Sequence, residues 1–125
     1  KDSELSMVSY PIVTFNRLPT YINLGQAVYP RGITRMTAIW DSISAEQRKE
    51  ISEFHYNDKT DELTLYTTFG TEIRWGDNSR LAEKVNFLEQ TFKLERDMYS
   101  KGKDTLEYVD LRFKGQPVIK TGAAY

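Results

Sequence analysis

Between Phe54 and Trp75 apolar residues alternate with polar ones in three short runs, and from Leu81 to Tyr99 they recur at helical steps. A chain patterned in this way lays an amphipathic helix on one face of a sheet. Ile51 to Asn57 reads as a strand on which Phe54 and Tyr56 share a face. Asn57-Asp58-Lys59-Thr60-Asp61 is a polar turn. Leu63 to Thr68 is a second strand, Phe69-Gly70 turns the chain, and Thr71 to Trp75 returns as a third strand that Gly76 ends. Asp77, Asn78 and Ser79 all make good N-caps for the long helix that follows, to about Tyr99. Its stripe is Leu81, Val85, Leu88, Phe92 and Tyr99, flanked by Phe87 and Met98. That spacing is the ordinary mark of a helix packed on a sheet rather than of a partner surface. Lys101-Gly102-Lys103 stops the helix, with Gly102 near the position of a C-terminal cap.

Upstream, Ile33, Met36, Trp40 and Ile43 align on one helix face. Ser44 and Gln47 form a capping-box pattern that predicts a second, short helix over about 45–50. Pro11 to Phe15 is β-prone and begins with proline, which suits a strand start or an edge. Residues 1–10 read as a junction, and Pro19, Gly25, Pro30 and Gly32 mark a loop-rich stretch over 16–32. Two strands close the chain, Leu106 to Phe113 and Gln116 to Thr121, with Lys114-Gly115 as the tight turn between them. The expected fold is α+β: a mainly antiparallel sheet with one long helix in the C-terminal half and shorter N-terminal helices on one face. The expected organisation is a junction and loop-rich segment over 1–32, one β domain over 33–121 and a tail over 122–125.

Net charge is −1, from 17 basic and 18 acidic residues, which argues against a generic nucleic-acid binder. No cysteine is present, so disulfides and thiolate metal sites are excluded. No apolar run approaches the roughly 20 residues that cross a bilayer. The start at Lys1, without an initiator Met, leads us to expect a fragment or processed form.

The search for chemistry finds little. His55, the sole histidine, alternates with Phe54 and Tyr56, and no sequence signal supplies it with a catalytic partner. Asp58, Asp61 and Glu62 cluster beside a turn that lacks the central glycine of a calcium loop. Arg17, Arg31 and Arg35, interleaved with Tyr21 and Tyr29, suggest base stacking, but no nucleic-acid motif accompanies them. Tyr10-Pro11 and Tyr29-Pro30 are bonds of the type that populates cis, with native packing expected to select one isomer. No catalytic, metal-binding or cofactor-binding residue is assigned.

The end of the chain carries the most information. Read as a strand, Val109, Leu111 and Phe113 share one face and Tyr108, Asp110 and Arg112 the other, where Asp110 and Arg112 can pair. The final strand contains Pro117, which lacks a ladder donor and so belongs at an edge. An open edge templates another chain unless it is blunted, as Pro117 and Lys120 would do. From these residues alone both readings stand.

Tyr108-Val109-Asp110-Leu111-Arg112-Phe113 is similar to the Y-V/I-D-L-R-Y/F signature near the C-terminus of FtsQ proteins. Ile51 to Phe54 and the hairpin Leu65 to Gly76, leading into a long helix, resemble the same family. Over about residues 33–121 the chain resembles the FtsQ/DivIB bacterial cell-division family. The resemblance implies a non-enzymatic divisome scaffold that contributes to septum formation. It implies a full-length protein with a short cytoplasmic tail, one transmembrane helix and a POTRA domain ahead of this β domain. That protein would sit in the cytoplasmic membrane at the division septum, with this domain on the extracytoplasmic side. Its partners would be membrane proteins of the FtsB/FtsL type, received by strand addition at the last strand. Carried onto this chain, the partner-binding residues are Phe113, Gly115, Gln116, Pro117, Val118, Ile119, Lys120 and Thr121, with Tyr108 and Arg112 on the preceding strand. The sequence departs from the family pattern in lacking the transmembrane helix and a recognisable POTRA domain. It also has Lys120 and Thr121 where many relatives carry an aromatic. Two other readings stand beside this one. The first is an extracytoplasmic, cell-wall-associated ligand-binding or enzymatic domain, which requires convergent carboxylates or a metal site in a cleft. The second is a module that self-associates weakly through the same edge.

Overall fold

The computed structural model describes residues 11–16, 30–102 and 105–122. In chain order the elements are β1 (Ile12–Phe15), α1 (Pro30–Ser42), α2 (Ala45–Arg48), β2 (Ile51–Asn57), β3 (Glu62–Thr67), β4 (Glu72–Gly76), α3 (Leu81–Ser100), β5 (Leu106–Asp110) and β6 (Val118–Thr121). The strands form one six-stranded sheet in sequence order. Pairs β2–β3, β3–β4 and β5–β6 are antiparallel, whereas β1–β2 and β4–β5 are parallel. The class is α+β, as expected, but the sheet is mixed instead of mainly antiparallel. The connections explain the difference. A tight turn returns the chain antiparallel, whereas parallel neighbours need a crossover of about a dozen residues or more. α3 forms the crossover from β4 to β5, and α1 with α2 lie in the one from β1 to β2.

Met36 and Ile39 of α1, Ile43 just beyond it, and Leu88 and Phe92 of α3 meet Phe54, Leu65, Ile73 and Val109 of the sheet in one buried cluster. Burying each such side chain fully stabilises the fold by about 2 kcal/mol. The alternate strand residues Glu53, His55, Thr64, Tyr66, Glu72, Arg74 and Tyr108 are half-buried on the other face of the sheet. There the Arg74 guanidinium lies 3.8 Å from the Tyr108 ring centroid and donates to Glu72 at 2.7 Å.

Several local expectations hold and several do not. The capping box forms: the Gln47 N–H donates to Ser44 Oγ at 3.2 Å and the Ser44 N–H to Gln47 Oε1 at 2.8 Å, though α2 ends at Arg48. Gly102, at φ 64°, follows the C-cap Lys101, and its N–H donates to the Tyr99 carbonyl at 3.1 Å. None of Asp77, Asn78 and Ser79 caps α3. The N-cap is Arg80, at φ 54°, with no side-chain cap bond. The expected caps are engaged elsewhere. Asp77 accepts from the Ser79 N–H at 2.9 Å, and Asn78 Oδ1 accepts from the Trp75 indole at 2.9 Å.

The stripe of α3 also differs. Leu88 and Phe92 are buried as expected, but Lys84, Thr91 and Glu95 complete the buried face, and Tyr99 is 73% exposed. The cause is length. Twenty helical residues reach about 30 Å, whereas the five of β4 reach about 17 Å. The last turn of α3 therefore overhangs the sheet.

A corner joins the start of α1 to the β2–β3 turn. Asp61 accepts from Arg35 at 2.9 Å, from Arg31 at 3.1 Å and from the Tyr56 hydroxyl. Burial raises the Asp61 carboxyl, but the bonds from Tyr56, Arg31 and Arg35 outweigh it and hold it below the usual range. Arg31 and Arg35 thus serve this corner. Arg17, Tyr21, Tyr29 and the Tyr10-Pro11 and Tyr29-Pro30 bonds lie outside the described residues. Gly32 makes the corner close: a Cβ there would stand 2.6 Å from Tyr56 Cγ. In an open helix Gly→Ala gains about 1 kcal/mol. Here Gly32→Ala is expected to destabilise the domain by about 1–3 kcal/mol through overpacking. Denaturant midpoints of the two proteins check this, and a stabilised variant would refute the close approach.

Candidate partner-binding edge

β6 is the last strand of the sheet, and all four of its residues are exposed. It pairs antiparallel with β5 through Leu106↔Thr121, Tyr108↔Lys120, Val109↔Ile119 and Asp110↔Val118. Its outer edge carries no strand among those described. Both strands are shorter than expected: β5 ends at Asp110 instead of Phe113, and β6 begins at Val118 instead of Gln116. A longer link over 111–117 replaces the tight Lys114-Gly115 turn, with Gly115 at φ 104°.

Asp110 is what stops β5. Its Oδ1 accepts from the Arg112 backbone N–H at 3.0 Å and from Arg112 Nε at 3.0 Å, while Oδ2 accepts from Arg112 Nη2 at 2.8 Å. A carboxylate that bonds the backbone two residues on curls the chain out of the strand. The expected two-face alternation therefore fails after Val109. Asp110 and Leu111 are both buried, and Phe113 is 67% exposed. Leu111 is locked by its backbone, its N–H donating to the Arg74 carbonyl at 2.9 Å and its own carbonyl accepting from Arg80 at 3.2 Å. Arg112 also reaches Glu62 at 3.7 Å and lies 5.2 Å from the Phe113 ring centroid. Gly76, at φ 79°, makes room for it: a Cβ there would stand 3.1 Å from Arg112 Cγ. The hydrogen bonds from Arg112 outweigh burial and hold the Asp110 carboxyl below its usual range.

Beside β6, on the helix-covered face, lies an apolar groove of about 250 Å³. Phe87, Gln90, Thr91 and Leu94 of α3 line it, together with Val109, Pro117 and Ile119. The structure thus brings Pro117 and Ile119 to one groove. Val118 and Lys120 alternate with Ile119 along β6, and Lys120 pairs with Glu107 at 3.5 Å. Phe113, Gly115 and Gln116 are exposed on the link. Tyr108 is half-buried beneath Arg74. Leu94 and Gln90 were not legible as site residues. The one available signal was an apolar residue, Leu94, standing off the core stripe of its helix.

The other sequence features are engaged locally. His55 Nδ1 lies 2.7 Å from Thr14 Oγ1 and Nε2 lies 2.6 Å from Asn16 Oδ1. Among the described residues no group of three or more His, Asp or Glu side chains could hold a metal ion, and no helix is long and apolar enough to cross a membrane.

Fold and site together define a small α+β domain with an exposed sheet edge backed by an apolar groove. The family model for the C-terminal region of cell division protein FtsQ/DivIB matches residues 4–112, and the chain belongs to this family of cell-division proteins. No curated protein matches the chain. The matched segment contains residues 108–112 of the 108–113 signature and ends ahead of β6.

Removing the Arg112 guanidinium leaves a buried carboxylate without its main donors. Arg112→Ala is expected to destabilise the domain by about 2–3 kcal/mol, and Arg112→Lys to recover only part of this because it cannot bind bidentately. The contribution of a depressed carboxyl is complete above its unfolded pKa and is lost as pH falls through its folded one. The gap between wild type and Arg112→Ala should therefore narrow in acid. Denaturation across a pH series reads both effects, and a constant gap would sink the assignment.

Proposed function

We propose that this domain is a non-enzymatic divisome scaffold that receives a partner strand on the outer edge of β6. The partner would be a septal membrane protein of the FtsB/FtsL type. The carrying observation is the open edge of β6 lying beside the groove that Ile119, Leu94 and Phe87 line. The unpaired backbone groups of an edge supply hydrogen bonds to an extended segment, and a neighbouring pocket selects its side chains. Gly115 to Thr121 and Phe113 form the docking surface, and Tyr108 and Arg112 enter it as half-buried members already positioned by Arg74 and Asp110. The docking unit is residues 33–121, to which β1 adds the far edge of the sheet. Family membership supports the wider setting, a protein held in the cytoplasmic membrane at the septum with this domain on the extracytoplasmic side.

An amide NMR titration with an FtsB-type ectodomain peptide tests the proposal. Shifts and new amide protection are expected across 113–121. Leu94→Glu and Ile119→Glu, both at exposed positions, should each weaken binding at least about tenfold without unfolding the domain. Unchanged amides over 113–121 at saturating peptide would remove this edge as the site. Shifts that depend on protein concentration alone would point to self-association instead.

A further inference from the structure

Glu95 is 4% exposed on the sheet-facing side of α3. Its Oε2 accepts from Thr67 Oγ1 at 2.6 Å and from the Thr71 hydroxyl. Its Oε1 is buried with no hydrogen-bond partner among the described residues. Glu95 lines a cavity of about 20 Å³ together with Thr71, Met98, Thr105 and the rings of Phe69 and Tyr99. Those two rings stand 5.4 Å apart, centroid to centroid. A cavity of this size admits a single water molecule.

The seam under which Glu95 lies is the root of the β5–β6 hairpin. Thr71 Oγ1 stands 3.4 Å from the Leu106 carbonyl. Leu106 pairs with Thr121, and the Gly122 N–H donates to the Thr105 carbonyl at 2.8 Å. A hydroxyl carries one proton and rotates to suit its neighbours. When Glu95 is ionised, Thr67 and Thr71 both aim their protons at the carboxylate, and Leu106 receives nothing from Thr71. When Glu95 is protonated, its own O–H donates to Thr71, which frees the Thr71 proton for the Leu106 carbonyl.

The surroundings of Glu95 favour the neutral form, chiefly through burial. Burial raises its carboxyl above the usual range, and the hydrogen bonds from Thr67 and Thr71 only partly offset this. Glu50, from the connection between α2 and β2, adds like charge, while Arg96 on α3, which pairs with Glu50 at 2.9 Å, pulls the other way as the smallest contribution. Thr105 and the first residue of β5, Leu106, bring no charged side chain to the cavity.

We propose that Glu95 is a pH-sensitive latch at the root of the β5–β6 hairpin. As a neutral acid it bonds through Thr71 to Leu106 and closes the seam. On losing its proton to solvent it withdraws that bond, admits water to Oε1 and loosens the hairpin. The sign follows from linkage. A raised folded pKa means that the folded state holds the proton longer, so stability falls as pH rises from the unfolded value through the folded one. The proposal does not depend on what β6 binds.

NMR across a pH series on the domain tests it. The Glu95 carboxyl carbon should titrate above the other glutamates, and the amides of Leu106, Thr121 and Gly122 should shift with the same midpoint. Their hydrogen exchange, corrected for intrinsic pH dependence, should rise by about tenfold above that midpoint. Glu95→Gln should hold these amides in one state at every pH. Thr71→Val, which keeps volume but removes the hydroxyl, should leave the Glu95 titration in place and uncouple Leu106 from it. A Glu95 titration in the ordinary range would overturn the proposal. So would hairpin amides indifferent to the Glu95 midpoint, or coupling that survives in Thr71→Val.

Discussion

The ammonium of Lys84 has no exposure to solvent. It donates to the carbonyls of Trp75 at 2.8 Å and Asp77 at 2.7 Å, with the Asp77 carboxylate 3.6 Å away. Burial pulls the Lys84 pKa below its usual range, and Asp77 pushes back. An ammonium taken out of water without such partners loses several kcal/mol. The chain therefore has a strong reason to hold those two carbonyls where they are. They belong to the end of β4 and the loop that follows, so one side chain of α3 fixes where the strand stops and from where the helix sets out. The direction of α3 then places β5 alongside β4 in parallel, and β5 carries β6. The path to the open edge at the end of the sheet thus runs through a junction that a buried cation ties together.

The Asp110-Leu111-Arg112 segment acts at the other end of the same path. Its sequence pattern marks the family, yet its geometry is that of a stop. Asp110 curls the chain, Leu111 is tied to Arg74 and Arg80, and Arg112 fills the space left by Gly76. Ending β5 early leaves residues 113–116 of the link exposed and lets β6 return beside β5 from Leu106 to Asp110. The signature thus shapes the edge without forming its chemistry. A polar motif can therefore be diagnostic of a binding domain while most of its atoms face inward.

What the sequence reveals follows from range. The β2–β3–β4 meander, the capping box at Ser44 and the glycine stop at Gly102 are local, set by alternation and by turn chemistry a few residues long. The two parallel pairs are not local, although a long helix between two strands was itself a sign of a crossover. Hydrophobic patterning passed over Lys84 and Glu95, because a charged residue on a core face looks like an interruption until its partners are known. Those partners, the Trp75 and Asp77 carbonyls and the hydroxyls of Thr67 and Thr71, are backbone atoms or common side chains with no signature. The N-cap was misplaced for a related reason. Asp77, Asn78 and Ser79 have the right chemistry for a cap, but Asn78 is engaged by Trp75, and Asp77 by Ser79 and Lys84. The edge position of the last strand was legible from Pro117, whose missing donor suits no central strand, although Pro117 itself stands just ahead of β6. The groove was not legible at Leu94, whose place in it depends on β6 returning beside β5 under α3.

Among the described residues the sheet has a second unpaired edge, and the two differ in how they are held. β1 is also outermost among the described strands, with Ile12 64% exposed and an apolar groove of about 250 Å³ lined by Val13, Met36, Trp40 and Phe54 beside it. Area and apolarity alone do not separate the two. Backbone support does. Beyond its ladder with β2, β1 is held on that inner side alone, by the Asn16 N–H to the Tyr56 carbonyl at 3.4 Å and by Thr14 to Glu53 at 2.6 Å and to His55. β6 sits on a hairpin whose near end is locked by Asp110 and Arg112 and whose root closes through Thr105 and Gly122. A template fixed at both ends loses little freedom when a third strand joins it. Pro117 limits where pairing can start, and Lys120, tied to Glu107, sets a charge beside it. Together they disfavour indiscriminate edge-to-edge association while leaving the groove side apolar.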